Sequence, residues 1–376
     1  MKIIVDKELL YKAVVSAESV ISSKSANTIL SNCLFNVTKD ELEIISTDNE
    51  IAIKTRVEIV SDKAMSFLVN GRKFSGILKE LPLGELELNV NDNLQIDITS
   101  TFKDIKGKYS IIAADSANYP EIPEFIENNS IEIEQSILRE MLKKVIYAAS
   151  RDTIKPVFNG IYFTIENGNN ITTVSTDSRR LSMISRMFDA FVSDFEGCII
   201  PLKTINEIYK MLESIGTCNF TVANNQCFFR IGKTDLISRI VDGQFPNYKH
   251  VIPKDYIIET VIETKSFLDS IKRVIIFTSE PSYKIILSFN PGTLTINAST
   301  VDIGEAVEEI ALNTVFDSSI TLGINAQFLI ESLREIDSPY VKCSITGQMN
   351  PLTLTPQDDP NYVSVIMPIQ IKSSGE

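Results

Sequence analysis

The chain holds one histidine, His250, and no tryptophan. A relay through paired imidazoles or a histidine-based metal cluster would need partners that are absent. Gly232-Lys233-Thr234 ends like a phosphate-binding loop, but the first glycine of G-x-x-x-x-G-K-[ST] falls on Cys227, so the cradle of backbone N–H groups is missing. Neither G-x-G-x-x-G nor G-x-S-x-G occurs, which removes the dinucleotide and nucleophile-elbow readings. Asp358 and Asp359 adjoin, and neighbouring side chains on extended backbone point to opposite faces. With Pro356 and Pro360 beside them they read as loop rather than acid–base dyad. Asp48 and Asp177 each close a Ser-Thr-Asp at a strand end, where Asx-turn bonding to nearby backbone suffices. Cys33, Cys198, Cys218, Cys227 and Cys343 show no CxxC spacing and read as buried free thiols. No metal and no cofactor are expected. A hydrolase using spare carboxylates remains the rival, with only acidic residues in its favour.

The elements that carry these residues repeat. Glu41–Asp48 and Asn170–Asp177 are alternating strands with the same Ser-Thr-Asp ending, and Thr293–Ser299 is a weaker third copy. Each follows another alternating strand across a turn-forming loop: Thr38-Lys39-Asp40, Asn167-Gly168-Asn169 and Asn290-Pro291-Gly292. Apolar residues at helical spacing precede each hairpin (Leu10, Ala13, Ala17; Leu138, Met141, Val145; Phe267, Ile271) and follow it (Phe74, Leu78; Ile205, Ile208; Leu329, Leu333). The period is near one third of the 376 residues, with proline-bearing joints at Pro120…Pro123 and Pro246…Pro253. The spacing predicts an α+β protein of three repeated domains, 1–125, 126–252 and 253–376, each with two helices on antiparallel sheet.

With 44% hydrophobic and 23% charged residues the composition is that of a folded globular chain. The longest apolar run, Val145–Ala149, is far short of a membrane span, and Asp6-Lys7-Glu8 interrupt the N-terminus before any signal-like stretch. A cytoplasmic protein is expected. The net charge of −13 argues against a polyanionic partner, provided it is evenly spread. It is not. The six predicted helices carry fourteen basic and nine acidic residues, and the remainder 22 basic and 40 acidic. A mildly positive helical lining within an acidic exterior would suit weak, sequence-independent contact with phosphates; a merely solvated helix face, or an acidic scaffold without a nucleic-acid role, is the alternative.

Gly71-Arg-Lys-Phe74, Lys155-Pro-Val-Phe-Asn-Gly160, Ser175-Thr-Asp-Ser-Arg-Arg-Leu181, Val241-Asp-Gly-Gln-Phe-Pro-Asn-Tyr248 and Val365-Ile-Met-Pro368 stand in an order that resembles the bacterial DNA polymerase III beta subunits, the beta sliding clamps. The resemblance runs the full length. It implies a DNA clamp fold with helices lining the inner face and sheets outside, a head-to-tail homodimeric ring, and a non-catalytic processivity factor around double-stranded DNA. The implied partners are the polymerase III alpha subunit, other polymerases, the clamp loader and repair proteins carrying clamp-binding peptides. The implied peptide pocket comprises Lys155, Thr176, Arg180, Leu181, Pro246, His250, Val251, Val365, Met367 and Pro368. The implied DNA-facing residues are Lys24, Arg72, Lys73, Lys79, Arg151 and Lys203, and the implied dimer contacts are Tyr109 and Ile111 against Ile276 and Phe277. Two departures stand out: Ser178-Arg179 where the family usually shows Gly-His, and five extra residues, Lys372–Glu376.

Overall fold

The computed structural model describes residues 1–21, 28–102, 105–128, 130–188, 195–314 and 316–371. Six helices form where the apolar spacing predicts them: α1 (Lys7–Glu18), α2 (Gly71–Glu80), α3 (Gln135–Ile146), α4 (Leu202–Met211), α5 (Thr264–Val274) and α6 (Ala326–Arg334). Strands run straight into α1, α2 and α6, and an Asx side chain caps each entry: Asp6 accepts from the Glu8 and Leu9 amides, Asn70 from Lys73, and Asn325 from Phe328. α1 packs on α2, and α5 on α6. Leu10, Val14, Phe74 and Leu78 are fully buried in the first pair, and Phe267, Ile271, Leu329 and Leu333 in the second.

The chain divides into two compact units. Met1–Leu138 with Asn206–Ile240 form one, and Arg139–Ile205 with Val241–Glu376 the other, so the middle repeat is shared between them. The first unit contains a five-stranded sheet ending on Ile105–Ile112 and an eight-stranded sheet. In the latter, Thr234–Arg239 of the middle repeat pairs antiparallel with Ile51–Glu58 of the first, placing Ile237 opposite Ala52. The second unit holds a four-stranded sheet ending on Gly304–Ala311 and another eight-stranded sheet. There Tyr362–Ile366 of the third repeat pairs with Arg180–Met187 of the middle one, placing Val365 opposite Leu181. The two seams correspond position for position: the Arg239 amide donates to the Glu50 carbonyl, and the Met367 amide to the Arg179 carbonyl.

The repeated Ser-Thr-Asp is structural, as the sequence suggests. Ser46 Oγ donates to the Ala17 carbonyl at the end of α1, and Ser175 Oγ to the Val145 carbonyl at the end of α3. Thr47 and Thr176 donate across their loops to the Ile51 and Arg180 carbonyls. Asp48 accepts from the Glu50 and Ile51 amides, and Asp177 from Arg179 and Arg180, all at 2.9–3.0 Å. In the third repeat Ala298 stands where the serine would, and Thr300 Oγ1 makes a tie instead, to the Phe277 carbonyl. Gly232-Lys233 is a hairpin turn with Gly232 at φ +57°, and Lys233 pairs with Glu58. Asp359 pairs with Arg186 at 2.6 Å, which gives it a structural role. All five cysteines are free and buried, and burial pushes the thiols of Cys33, Cys198, Cys218 and Cys343 up to about 12.

Candidate functional site

Beside the seam of the second unit lies a cavity of about 240 Å³. It exceeds the ~150 Å³ that admits a benzene ring, so it has room for a bulky apolar side chain and part of a second. Leu181 and Val365, facing each other across the strand pair, supply its apolar wall. Met367 continues the strand past its end and is 40% exposed. Pro246, Tyr248 and Val251 come from the segment joining the second repeat to the third, which turns through a short helical loop at Tyr248–His250. Thr176, Ser178 and Arg180 come from the hairpin loop, and Phe158 completes the lining.

Arg180 is 9% exposed and fixed on several sides. Its Nε donates to Asp177 at 3.0 Å, Nη1 to Glu331, and Nη2 to the Tyr147 carbonyl at 2.6 Å; its guanidinium lies 4.4 Å from the Phe328 ring centre. The charge is therefore committed to the protein, and its role in the cavity is to hold the hairpin loop against α6. Ser178 adopts φ +74°, a left-handed conformation that costs a residue with a Cβ roughly 1–2 kcal/mol. The corresponding residue of the first hairpin is Asn49 at φ +76°, a type that tolerates this geometry better.

Seven of the ten residues proposed for the pocket line this cavity: Thr176, Arg180, Leu181, Pro246, Val251, Val365 and Met367. Lys155, His250 and Pro368 do not. Lys155 Nζ sits 5.8 Å from the Phe158 ring centre, His250 is exposed on its turn, and Pro368 is half-buried. Phe158, Ser178 and Tyr248, which stand in the quoted motifs, complete the lining; motif order does not say which side chain faces inward.

Of the proposed phosphate contacts, Lys24 lies outside the described residues. Arg72, Lys73 and Lys79 are exposed on α2, with Arg72 Nη2 donating to the Ile21 carbonyl at 3.1 Å; Arg151 and Lys203 are exposed as well. The helical charge count overstates the cations available. Lys144 is 3% exposed, bonded to Asp337 at 2.9 Å and to the Glu335 carbonyl; Lys7 is 7% exposed; Arg273 pairs with Glu308 at 2.6 Å. Of the proposed dimer contacts, Tyr109 and Ile276 are exposed and Phe277 is half-buried. Ile111 needs correction as a surface residue: it is 9% exposed and part of the first repeat's core, whereas Ile112 beside it, on the other face of the strand, is 81% exposed. Among the described residues no cluster of His, Cys, Asp and Glu could hold a metal ion.

Models of the N-terminal, central and C-terminal domains of the DNA polymerase III beta subunit match residues 1–123, 132–247 and 249–370. The chain belongs to the DNA polymerase III beta subunit family. With membership come the three-domain DNA clamp fold and the processivity function of a sliding clamp. Relatives of this beta-subunit chain include the beta sliding clamps of Halalkalibacterium halodurans, 25% identical over 98% of this chain and all of that protein, and of Treponema pallidum, 28% identical over the same shares. Its fold matches the crystal structure of the Bacillus subtilis sliding clamp with a TM-score of 0.92 at 23% identity, covering 99% of each chain. A Pseudomonas aeruginosa sliding clamp solved bound to griselimycin gives the same TM-score and identity, over 99% of this chain and all of that one.

Proposed function

We propose that two copies of this chain close head to tail around duplex DNA, carry no catalytic chemistry, and tether polymerases, a clamp loader and repair proteins by a short peptide seated in the second-seam cavity. The observation that carries this reading is the cavity itself: an apolar recess built from two repeats, open to solvent at Met367 and bounded by an immobilised guanidinium. Thr176, Arg180, Leu181, Pro246, Val251, Val365 and Met367 form its wall in this reading, and Lys155, His250 and Pro368 its approach. Tethering raises the local concentration of a polymerase without tight polymerase–DNA contact.

Arg72, Lys73, Lys79, Arg151, Lys203 and Lys24 are the proposed phosphate contacts, few enough for binding to be weak and salt-sensitive. For dimerisation, Ile105–Ile112 and Gly304–Ala311 are sheet edges, the first bearing exposed Lys106 and Lys108 and the second exposed Glu305 and Glu309. Pairing such edges joins opposite charges and removes two unpaired strands. Tyr109 would then meet Ile276 and Phe277, with Ile112 on the opposite face of its strand. Among the described residues no helix is long and apolar enough to cross a membrane, and a cytoplasmic location fits the proposed role.

The test is topological. Loaded protein should remain on nicked circular DNA and leave once the circle is cut; retention indifferent to DNA ends would sink the ring. Reversing Arg72 and Lys73 together should lower loading while light scattering still reports a dimer of about 84 kDa, twice the 42.0 kDa chain. Unchanged loading would remove both from the DNA-facing set.

A further inference from the structure

Pro246 and Tyr248 line the cavity on one side and, on the other, a second groove of about 520 Å³. We propose that this groove is a charge-selective extension of the peptide site, taking a Lys or Arg side chain that flanks the apolar anchors of the same linear partner. The proposal rests on the reading of the cavity as a peptide site.

The groove is aromatic on one wall and acidic on the rim. Tyr162 and Phe245 stack with ring centres 5.0 Å apart and planes 10° from parallel, and Tyr248 lies 6.1 Å from Tyr162. Among the described residues, Glu166 and Glu196 supply its carboxylates and Lys249 its cation. Lys249 already displays the chemistry the groove accepts: its ammonium bonds Glu166 and lies 6.0 Å from the Tyr248 ring centre. That pairing neutralises Glu166. Glu196 is exposed and, among the described residues, has no ion-pair partner, which leaves an uncompensated negative charge at the rim, beside the partly buried ring of Tyr162.

The wall is preformed. Gly197 sits at φ +111°, and a Cβ there would come within 2.4 Å of the Tyr162 ring, so glycine lets the ring lie across the backbone. The Tyr162 hydroxyl then donates to the Glu196 carbonyl. The Tyr248 hydroxyl is pushed up to about 12, first by burial and then by the field of Glu166 and Tyr162. With Glu196 at the rim, a phosphate backbone is an unsuitable occupant and a basic peptide residue a suitable one. An extended peptide advances about 3.3 Å per residue, so a residue next to or near an anchor reaches across the shared Pro246–Tyr248 wall.

Fluorescence anisotropy on the full-length chain tests this with labelled peptides sharing the same apolar anchors and bearing neutral, Lys/Arg or Asp/Glu flanks at both ends. At low salt the basic flanks should bind about three- to fivefold more tightly than the neutral ones, as expected of a rim charge pair. The advantage should vanish by about 0.5 M salt. In Glu196→Lys the ratio of basic to neutral affinity should fall to one or below, with Glu196→Gln intermediate. Binding indifferent to flank charge, or a ratio unmoved by Glu196→Lys, overturns the groove and leaves the cavity standing. Failure of the neutral peptide to bind removes both.

Discussion

The two seams share a register and differ in what fills the space beside it. At the first, Phe125 from the joining segment packs into a cluster with Ala52, Phe228 and Ile237, meeting Phe228 edge-on at 6.4 Å between ring centres. Ion pairs strap that segment down: Glu124 bonds Lys54, which is 2% exposed, and Glu127 bonds Arg230, whose guanidinium lies 4.2 Å from the Phe125 ring centre. At the second seam, Leu181 and Val365 take the places of Ala52 and Ile237, and the joining segment presents Pro246, Tyr248 and Val251 around a space it does not fill. The first joint thus carries its own apolar occupant, while the second leaves the place for a partner. One backbone arrangement serves as structure in one copy and as a docking surface in the other, and the joining side chains decide which.

The largest expected effect comes from emptying the first seam. Phe125→Ala should lower unfolding stability by about 3–4 kcal/mol in urea denaturation, the usual cost of truncating a buried Phe. Unchanged stability would mean that the segment does not seal this joint. Next is Arg180→Met, which strands Asp177 and Glu331 without their cation. Its counterpart in the first hairpin is Ile51, so a guanidinium in the hairpin loop braces only the second seam. A loss of about 2–3 kcal/mol is expected, below the full cost of a buried pair because both carboxylates are partly exposed.

Met367→Ala separates the seams in the opposite sense. It should leave melting nearly unchanged and weaken capture of an apolar peptide by about 1–3 kcal/mol in a direct titration. Equal affinity would move the docking site elsewhere. The smallest effect sharpens the comparison of hairpins: Ser178→Gly should raise stability by about 0.5–1 kcal/mol by relieving the left-handed serine, and Asn49→Gly by no more than a few tenths. Equal gains at both positions would show that the side chain at the cavity rim carries no extra strain.

The period-two strands, the six helices and the structural role of Asp48 and Asp177 were legible in the sequence, because each depends on residues within a few positions of one another. The helical charge excess was legible only as a count. Lys144 and Asp337 lie on different repeats, and nothing local to either reveals that they meet. The same reason hid the inward turn of Ile111 and the contribution of Tyr248, Phe158 and Ser178 to the cavity: motif membership places a residue along the chain, whereas burial depends on what packs against it.

Sequence alone therefore settled the threefold pattern, the element types, the absence of a nucleotide-binding loop and the family resemblance, all of which follow from spacing and residue type. Tertiary structure decided that the middle repeat would be divided between two sheets, that one joint would be sealed by Phe125 and the other left hollow, and which cations would be spent internally. Those outcomes turn on close packing and charge neutralisation between segments far apart in the chain, where the fit of one side chain into another's surroundings sets the energy.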